Sequence, residues 1–290
     1  GNSNVAIGHL ALTTNVAADR NVAVGINALA VMTSGTTADT YNTAVGYSAG
    51  AAVTSGSLNT LVGGLAGDAL TEGNNNVALG YLALSAETLG DRNVAIGNSA
   101  LGVQNNTSDV DSYNVAVGHS AGAAVTTGVR NILVGSQAGK VMQTANYNVA
   151  IGHDALSTNI DGDNNTALGY KALEDFEADA DGHGNNTAIG ASAMLNATTG
   201  TENTALGTLA MGIGATTGDG NVALGYGSLL YSTTASNNIA IGFESMRASS
   251  EALYNVAIGF RSLYTNVEGD SNVAIGYDAL RVFNPSNGST

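Results

Sequence analysis

The chain has 290 residues, 8 Lys and Arg against 23 Asp and Glu, a formal charge of −15 and no Cys. That acidity disfavours nucleic acid, whose binding rests on neutralising phosphates with cations. The absence of Cys excludes disulfides and thiolate metal sites, and no run of about eighteen apolar residues is present to span a membrane.

From Asn4 onward one pentad, Asn-(Val/Thr/Ile)-(Ala/Leu)-(Ile/Val/Leu)-Gly, recurs sixteen times, ending with Asn272-Val273-Ala274-Ile275-Gly276. The basal step is 17 residues, as from Asn4 to Asn21. Steps four longer end at Asn42, Asn114 and Asn186, and one a single residue longer ends at Asn221. A short fixed period is the signature of a solenoid, in which each unit buries its apolar side against its neighbours.

Within each unit the pentad alternates with period two, which predicts a strand. Gly8, Gly25, Gly152 and Gly276 close their pentads where the chain must turn. Asn4, Asn21, Asn148 and Asn272 stand at one position of successive coils, a placement that predicts a ladder of side-chain amides. Three residues after the Gly comes Ala or Ser, then usually Leu or Met, as in Ala155-Leu156 and Ser262-Leu263. This predicts a second apolar element, followed by a polar return rich in turn residues.

Seventeen residues at roughly 3.3 Å each suffice for two short strands and two turns. The expectation is an all-β fold: a narrow parallel β-roll or β-solenoid of about sixteen coils over residues 1–283, with 284–290 a C-terminal tail or processing remnant. Val5 and Ile7 are expected to enter the coil's own core, with Ala6 facing outward against partner chains. Leu61 and Leu133 replace that Ala in coils whose second element carries Gly67 and Gly139, which predicts volume compensation between facing positions.

The segments Asn4–Ala11, Asn148–Ala155 and Asn255–Ser262 resemble the head repeat of YadA-like trimeric autotransporter adhesins, and Asn42-Thr43-Ala44-Val45-Gly46-Tyr47-Ser48-Ala49 is similar to repeats of bacteriophage tail fibres. The resemblance covers essentially the whole chain. It implies a left-handed parallel β-roll that forms a homotrimer, inner strands against the threefold axis. The 17-residue step is longer than the adhesin head's, and the sequence lacks that family's neck, stalk and membrane anchor. Both departures favour the phage-type fibre.

After the corner Gly an aromatic or His is frequent: Tyr47, Tyr81, Tyr170, Tyr226, Phe243, Phe260 and Tyr277, with His9, His119 and His153. Such a column can stack on sugar rings, or its rings can stack on one another to cover a turn. The three insertions fall within Thr33–Tyr41, Asn105–Tyr113 and Phe176–Asn185, at the kind of place where recognition loops leave a solenoid. Asp179 and Asp181 are candidates for calcium through oxygen ligands, and solvated acidic loops are the alternative. The histidines lack recurring partners at zinc-ligand spacing.

No nucleophile with a base, carboxylate pair in a predicted cleft or phosphate loop stands out, so no catalytic residue, no cofactor and no enzymatic activity are expected. The expected function is a structural and adhesive fibre segment, most concretely a virion tail fibre that reaches a host surface glycan or outer-membrane receptor. The alternatives are a bacterial adhesin head at the cell surface and a self-assembling extracellular filament subunit. A glycan-degrading tailspike ranks below these.

Overall fold

A computed structural model describes residues 1–33, 38–177 and 183–283. It is all-β, with no helix among the described residues. The chain divides into two compact units, Gly1–Ala145 and Asn146–Thr290, each a parallel β-solenoid of eight coils. We number coils 1–16 by their opening Asn, from Asn4 to Asn272.

Each coil contributes one three-residue strand, the middle of the pentad, such as Val5–Ile7 or Val149–Ile151. Equivalent residues pair in parallel: Ala6 with Ala23, Ala23 with Ala44, and Ala44 with Leu61 in the first unit, and Ala150 with Ala167 in the second. The insertions leave this register intact, since Val24 still pairs with Val45 and Ala95 with Ala116. At the second insertion, Asn105–Tyr113, the extra residues therefore leave the coil as a loop. A one-residue slip would have turned the whole apolar set over.

The faces of the strand are the reverse of the sequence expectation. Ala23, Ala44, Ala95, Ala150 and Ala223 are fully buried inside the coil, while Ile7, Leu79, Ile151 and Val273 are exposed. The physical reason is room. The Ala opposite on the second element, such as Ala28 or Ala155, and the following Leu29 or Leu156 are also fully buried, so a narrow coil accepts only a small residue from the strand. The Leu61 exception obeys the same rule. A Cβ on Gly67 would stand 2.8 Å from Leu61 Cδ2, and one on Gly50, a coil earlier, 2.7 Å from Leu61 Cδ1. Compensation thus spans two coils, and Leu133 repeats it against Gly122 and Gly139.

The second element is a turn rather than a strand. Its Leu or Met sits in the left-handed region, as with Leu29 at φ 47° and Leu156 at φ 53°. That conformation costs roughly 1–2 kcal/mol per residue, and full burial of the side chain offsets it by about 1.5–3 kcal/mol. Elsewhere on this side pairing is sparse: Ala18–Asp19 with Ala38–Asp39, and single bridges such as Ala248 with Thr265.

The corner needs glycine twice over. Gly25 has φ +136° and Gly152 φ +139°, and a Cβ on either would lie 2.3 Å and 2.2 Å from the carbonyl oxygens of Gly46 and Gly169 in the next coil. Asn21 N–H donates to Asn4 Oδ1 at 2.8 Å, and Asn165 N–H to Asn148 Oδ1 at 2.9 Å. The Asn148 amide donates to Gly162 O at 3.0 Å, and Asn272 Nδ2 to Asn255 Oδ1 at 3.0 Å. Each amide thus ties its coil's start to that coil's return, and to its neighbour.

Candidate functional site

Four surfaces depart from the bare repeat. The first is the outward face of the pentad strands, where the second and fourth positions leave Val, Ile, Leu and Thr side chains partly or fully exposed in both units. Ile7 and Ile275 are 60% and 67% exposed. All-parallel sheets are normally covered on both faces. Here the coil covers one face only.

The second is the aromatic column. In coils 13–16 Tyr226, Phe243, Phe260 and Tyr277 form a continuous ladder, with centroids 5.2, 5.4 and 5.0 Å apart and planes within 15° of parallel. The inner rings cover one another's faces, so Phe243 and Phe260 turn edges outward. Tyr170 meets His153 at 5.9 Å in a tilted pair. Tyr47 and Tyr81 stand exposed in coils 3 and 5, with Gly64 between them in coil 4.

Beside the ladder runs a third feature that the sequence reading missed. Arg247 lies over Tyr231 at 4.9 Å and over Tyr264 at 5.6 Å, and Arg281 lies over Tyr264 at 5.8 Å. Arg261 Nε donates to Glu244 Oε2 at 2.8 Å, and that bond raises the Arg261 pKa further. Arg247, Tyr264 and Arg281 recur at one coil position, so the 17-residue step was the available signal. Cations stacked between rings gain from the ring quadrupole.

The fourth is the insertion loops. Arg20 pairs with Asp39, which accepts from Tyr41 Oη at 3.4 Å, and the Arg20 guanidinium lies 5.6 Å from the Tyr41 ring. Seventy-two residues on, Arg92, Asp111 and Tyr113 repeat the arrangement, with 3.2 Å and 5.6 Å for the same contacts. The second loop is also anchored from within. The fully buried Glu87 accepts from the N–H groups of Thr88, Leu89, Gly90 and Asn106 at 2.8–3.2 Å, and from Gln104 Nε2 and Asn106 Nδ2 at 2.8 and 3.0 Å. Six donors compensate the enclosed carboxyl without a cation. A hollow of about 470 Å³ lies at this loop, lined by Asp109, Val110, Asp111, Val129 and Arg130.

Glu87 belongs to a further interior position, eleven residues after each opening Asn, that sequence analysis did not separate. It is Met32, Leu70, Met142 or Phe176 in some coils and Asn159 or Asn266 in others, all fully buried. Asn159 closes its own turn by giving Nδ2–H to Gly162 O and taking Gly162 N–H, both at 2.9 Å. Asp179 and Asp181 lie outside the described residues. Among the described residues no group of three or more His, Asp or Glu could hold a metal ion, and no helix is long and apolar enough to cross a membrane.

No protein-family model matches the chain, and no curated protein does. The functional reading therefore rests on the surfaces just described.

Proposed function

We propose that the chain is a structural and adhesive fibre segment that assembles as a homotrimer through the outward apolar face of its pentad strands. The observation that carries this reading is that face. Soluble monomers rarely leave contiguous apolar patches larger than a few hundred Å² uncovered, and here Val, Ile and Leu recur along a strand surface in each unit. A closed threefold arrangement covers the same patch on every copy and leaves the loops and aromatic column outward. The acidic exterior opposes side-by-side aggregation of assembled particles.

In this reading the segment carries no catalytic chemistry. It extends toward a host surface, as part of a phage tail fibre, and contacts a glycan or an outer-membrane receptor through the side chains that interrupt the repeat. The regular coil supplies rigidity and spacing, and the loops and rings supply the contacts.

Light scattering during size exclusion tests the assembly. The expected mass is three times the 28.8 kDa of one chain, and Leu79→Lys combined with Leu168→Lys should shift it toward one. A wild-type monomer at micromolar concentration would overturn the proposal. An open-ended ladder of masses would favour the filament alternative, and release of reducing ends from a host polysaccharide would favour a tailspike.

A further inference from the structure

The complete aromatic ladder of coils 13–16 sets a standard for the incomplete column of coils 3–5. Where every coil supplies a ring, successive centroids stand 5.0–5.4 Å apart. In coils 3–5 the same position carries Tyr47, then Gly64, then Tyr81, so one rung is missing. Adjacent strands lie about 4.8 Å apart, which puts the two tyrosines roughly 9.6 Å apart, close to two stacking steps. A Cβ built on Gly64 meets only Tyr81, Cδ2 at 3.5 Å and Cε2 at 4.0 Å, both ordinary contacts, so a side chain fits at the missing rung against the Tyr81 ring. Tyr47 and Tyr81 are 58% and 53% exposed, against 46% and 43% for the stacked Tyr226 and Phe243.

Coil 4 also supplies Asp68, four residues after Gly64. In other coils the residue at this position turns toward the one three before it: Lys140 donates to Gln137, Glu174 pairs with Lys171, and Arg247 lies 3.3 Å from Glu244. That earlier residue in turn leans over the ring column, as Lys171 does over Tyr170 and Arg261 over Phe260. In coil 4 it is Leu65, which offers Asp68 no polar partner. Asp68 Oδ1 is enclosed without a hydrogen bond, and burial pushes its carboxyl above the usual range.

We propose that the slot formed by Tyr47, Gly64 and Tyr81 binds one pyranose ring of a neutral or amino sugar, held between the two tyrosines, with the Asp68 carboxyl on the same coil as Gly64 adding negative charge. A pyranose presents C–H groups on both faces, and the negative face of each tyrosine attracts them. Charge decides among ring-bearing ligands. Residues 1–145 carry 4 Lys and Arg against 8 Asp and Glu, which disfavours uronic acids, and nucleobases with their phosphates likewise. The slot deepens the adhesive reading by naming the ligand chemistry, yet it requires neither the trimer nor any particular host.

The test titrates the full chain with the methyl glycosides of glucosamine, N-acetylglucosamine and glucuronic acid, following chemical shifts of the tyrosine rings and measuring the assembly mass on the same sample. The amino and neutral sugars should bind and the glucuronide should bind at least about tenfold more weakly. Gly64→Tyr restores the missing rung, so it should abolish binding while keeping the thermal midpoint. Tyr47→Leu and Tyr81→Leu, which keep an apolar side chain on the coil, should each weaken binding by roughly three- to tenfold. Absence of binding to the wild-type chain, whatever its mass, would overturn the slot. So would binding that survives Gly64→Tyr, or a glucuronide bound as tightly as the amino sugar. A monomer that still binds the sugars would leave the slot standing and remove the trimer instead.

Discussion

Coils 3 and 4 and coils 11 and 12 enclose the same kind of interior and fill it from opposite sides. In the first pair Leu61 reaches in from the strand, and the turn opposite is reduced to Gly50 and Gly67. In the second pair the strands carry Ala188 and Ala205, and Met194 and Met211 enter from the turn. The source of the volume is interchangeable: one Leu61 stands against two methionines, and the buried Val53 and Leu70 fill the first pair further where the second has Ala197 and Gly214. The two solutions differ in backbone cost. Gly50 and Gly67 take the left-handed region freely, at φ 58° and 55°, whereas Met194 and Met211 occupy it at φ 51° and 52° with a Cβ.

Leu61→Ala should have the largest effect, about 2–5 kcal/mol lost, because glycines on both facing turns leave nothing to collapse into the cavity. Chemical denaturation reads it. Adding Gly67→Leu should recover part of the loss, less the roughly 1–2 kcal/mol of left-handed backbone that Met194 and Met211 already bear. A Leu61→Ala loss below about 0.5 kcal/mol would show that the strand side is not what fills these coils.

The reverse exchange belongs in coil 11. Ala188→Leu with Met194 retained should overpack the coil and cost about 1–3 kcal/mol. Adding Leu173→Gly and Met194→Gly, which open both facing turns as Gly50 and Gly67 do around Leu61, should relieve that overpacking. If the combination is as damaging as the single change, the two coil types are not equivalent and the comparison fails.

Asn59 and Asn203 probe what the two regions share. Asn59 Oδ1 accepts from Asn76 N–H at 2.9 Å and its Nδ2 donates to Gly73 O at 2.8 Å, and Asn203 makes the matching bonds to Asn221 and Gly218 at 2.9 Å each. Replacing either with Ala strands buried backbone groups and should cost about 1–3 kcal/mol. The costs should agree within about 0.5 kcal/mol, since the ladder does not depend on how the interior is filled. Unequal thermal shifts would couple ladder and core.

These comparisons also mark what could be read from the chain. Period, strand, pairing and the exchange of Leu61 against Gly67 were legible because each leaves a mark at fixed spacing. The orientation of the strand was not. Alternation says that Val5 and Ala6 point opposite ways but not which way is in, and burying the larger side chains inside the coil is a sound rule for a monomer of ordinary width. A coil this narrow inverts it, and that inversion is what exposes the apolar face. The alternation of Tyr47, Gly64 and Tyr81 was visible, but it acquired a meaning only once the spacing of a complete ladder was known. The Arg–Tyr column was missed because its members differ in type while sharing a position.

Asp68 gives the smallest expected effect and separates the two regions by charge, since the same position in coils 11 and 12 holds Leu195 and Gly212. Burial raises the Asp68 carboxyl above its ordinary value of 3.8. Below that value both folded and unfolded chains hold the proton, and the group contributes nothing to pH dependence. As pH climbs past it the unfolded chain ionises first, the folded chain must charge an enclosed oxygen, and stability falls until the raised value is passed. Asp68→Asn removes that loss. The variant's thermal midpoint, relative to wild type, should therefore be higher at pH 7 than at pH 3, by about 1–2 °C. A difference that is the same at both pH values would mean that the carboxyl is charged in the fold at no cost, and would remove Asp68 Oδ1 as an enclosed, unsatisfied acceptor.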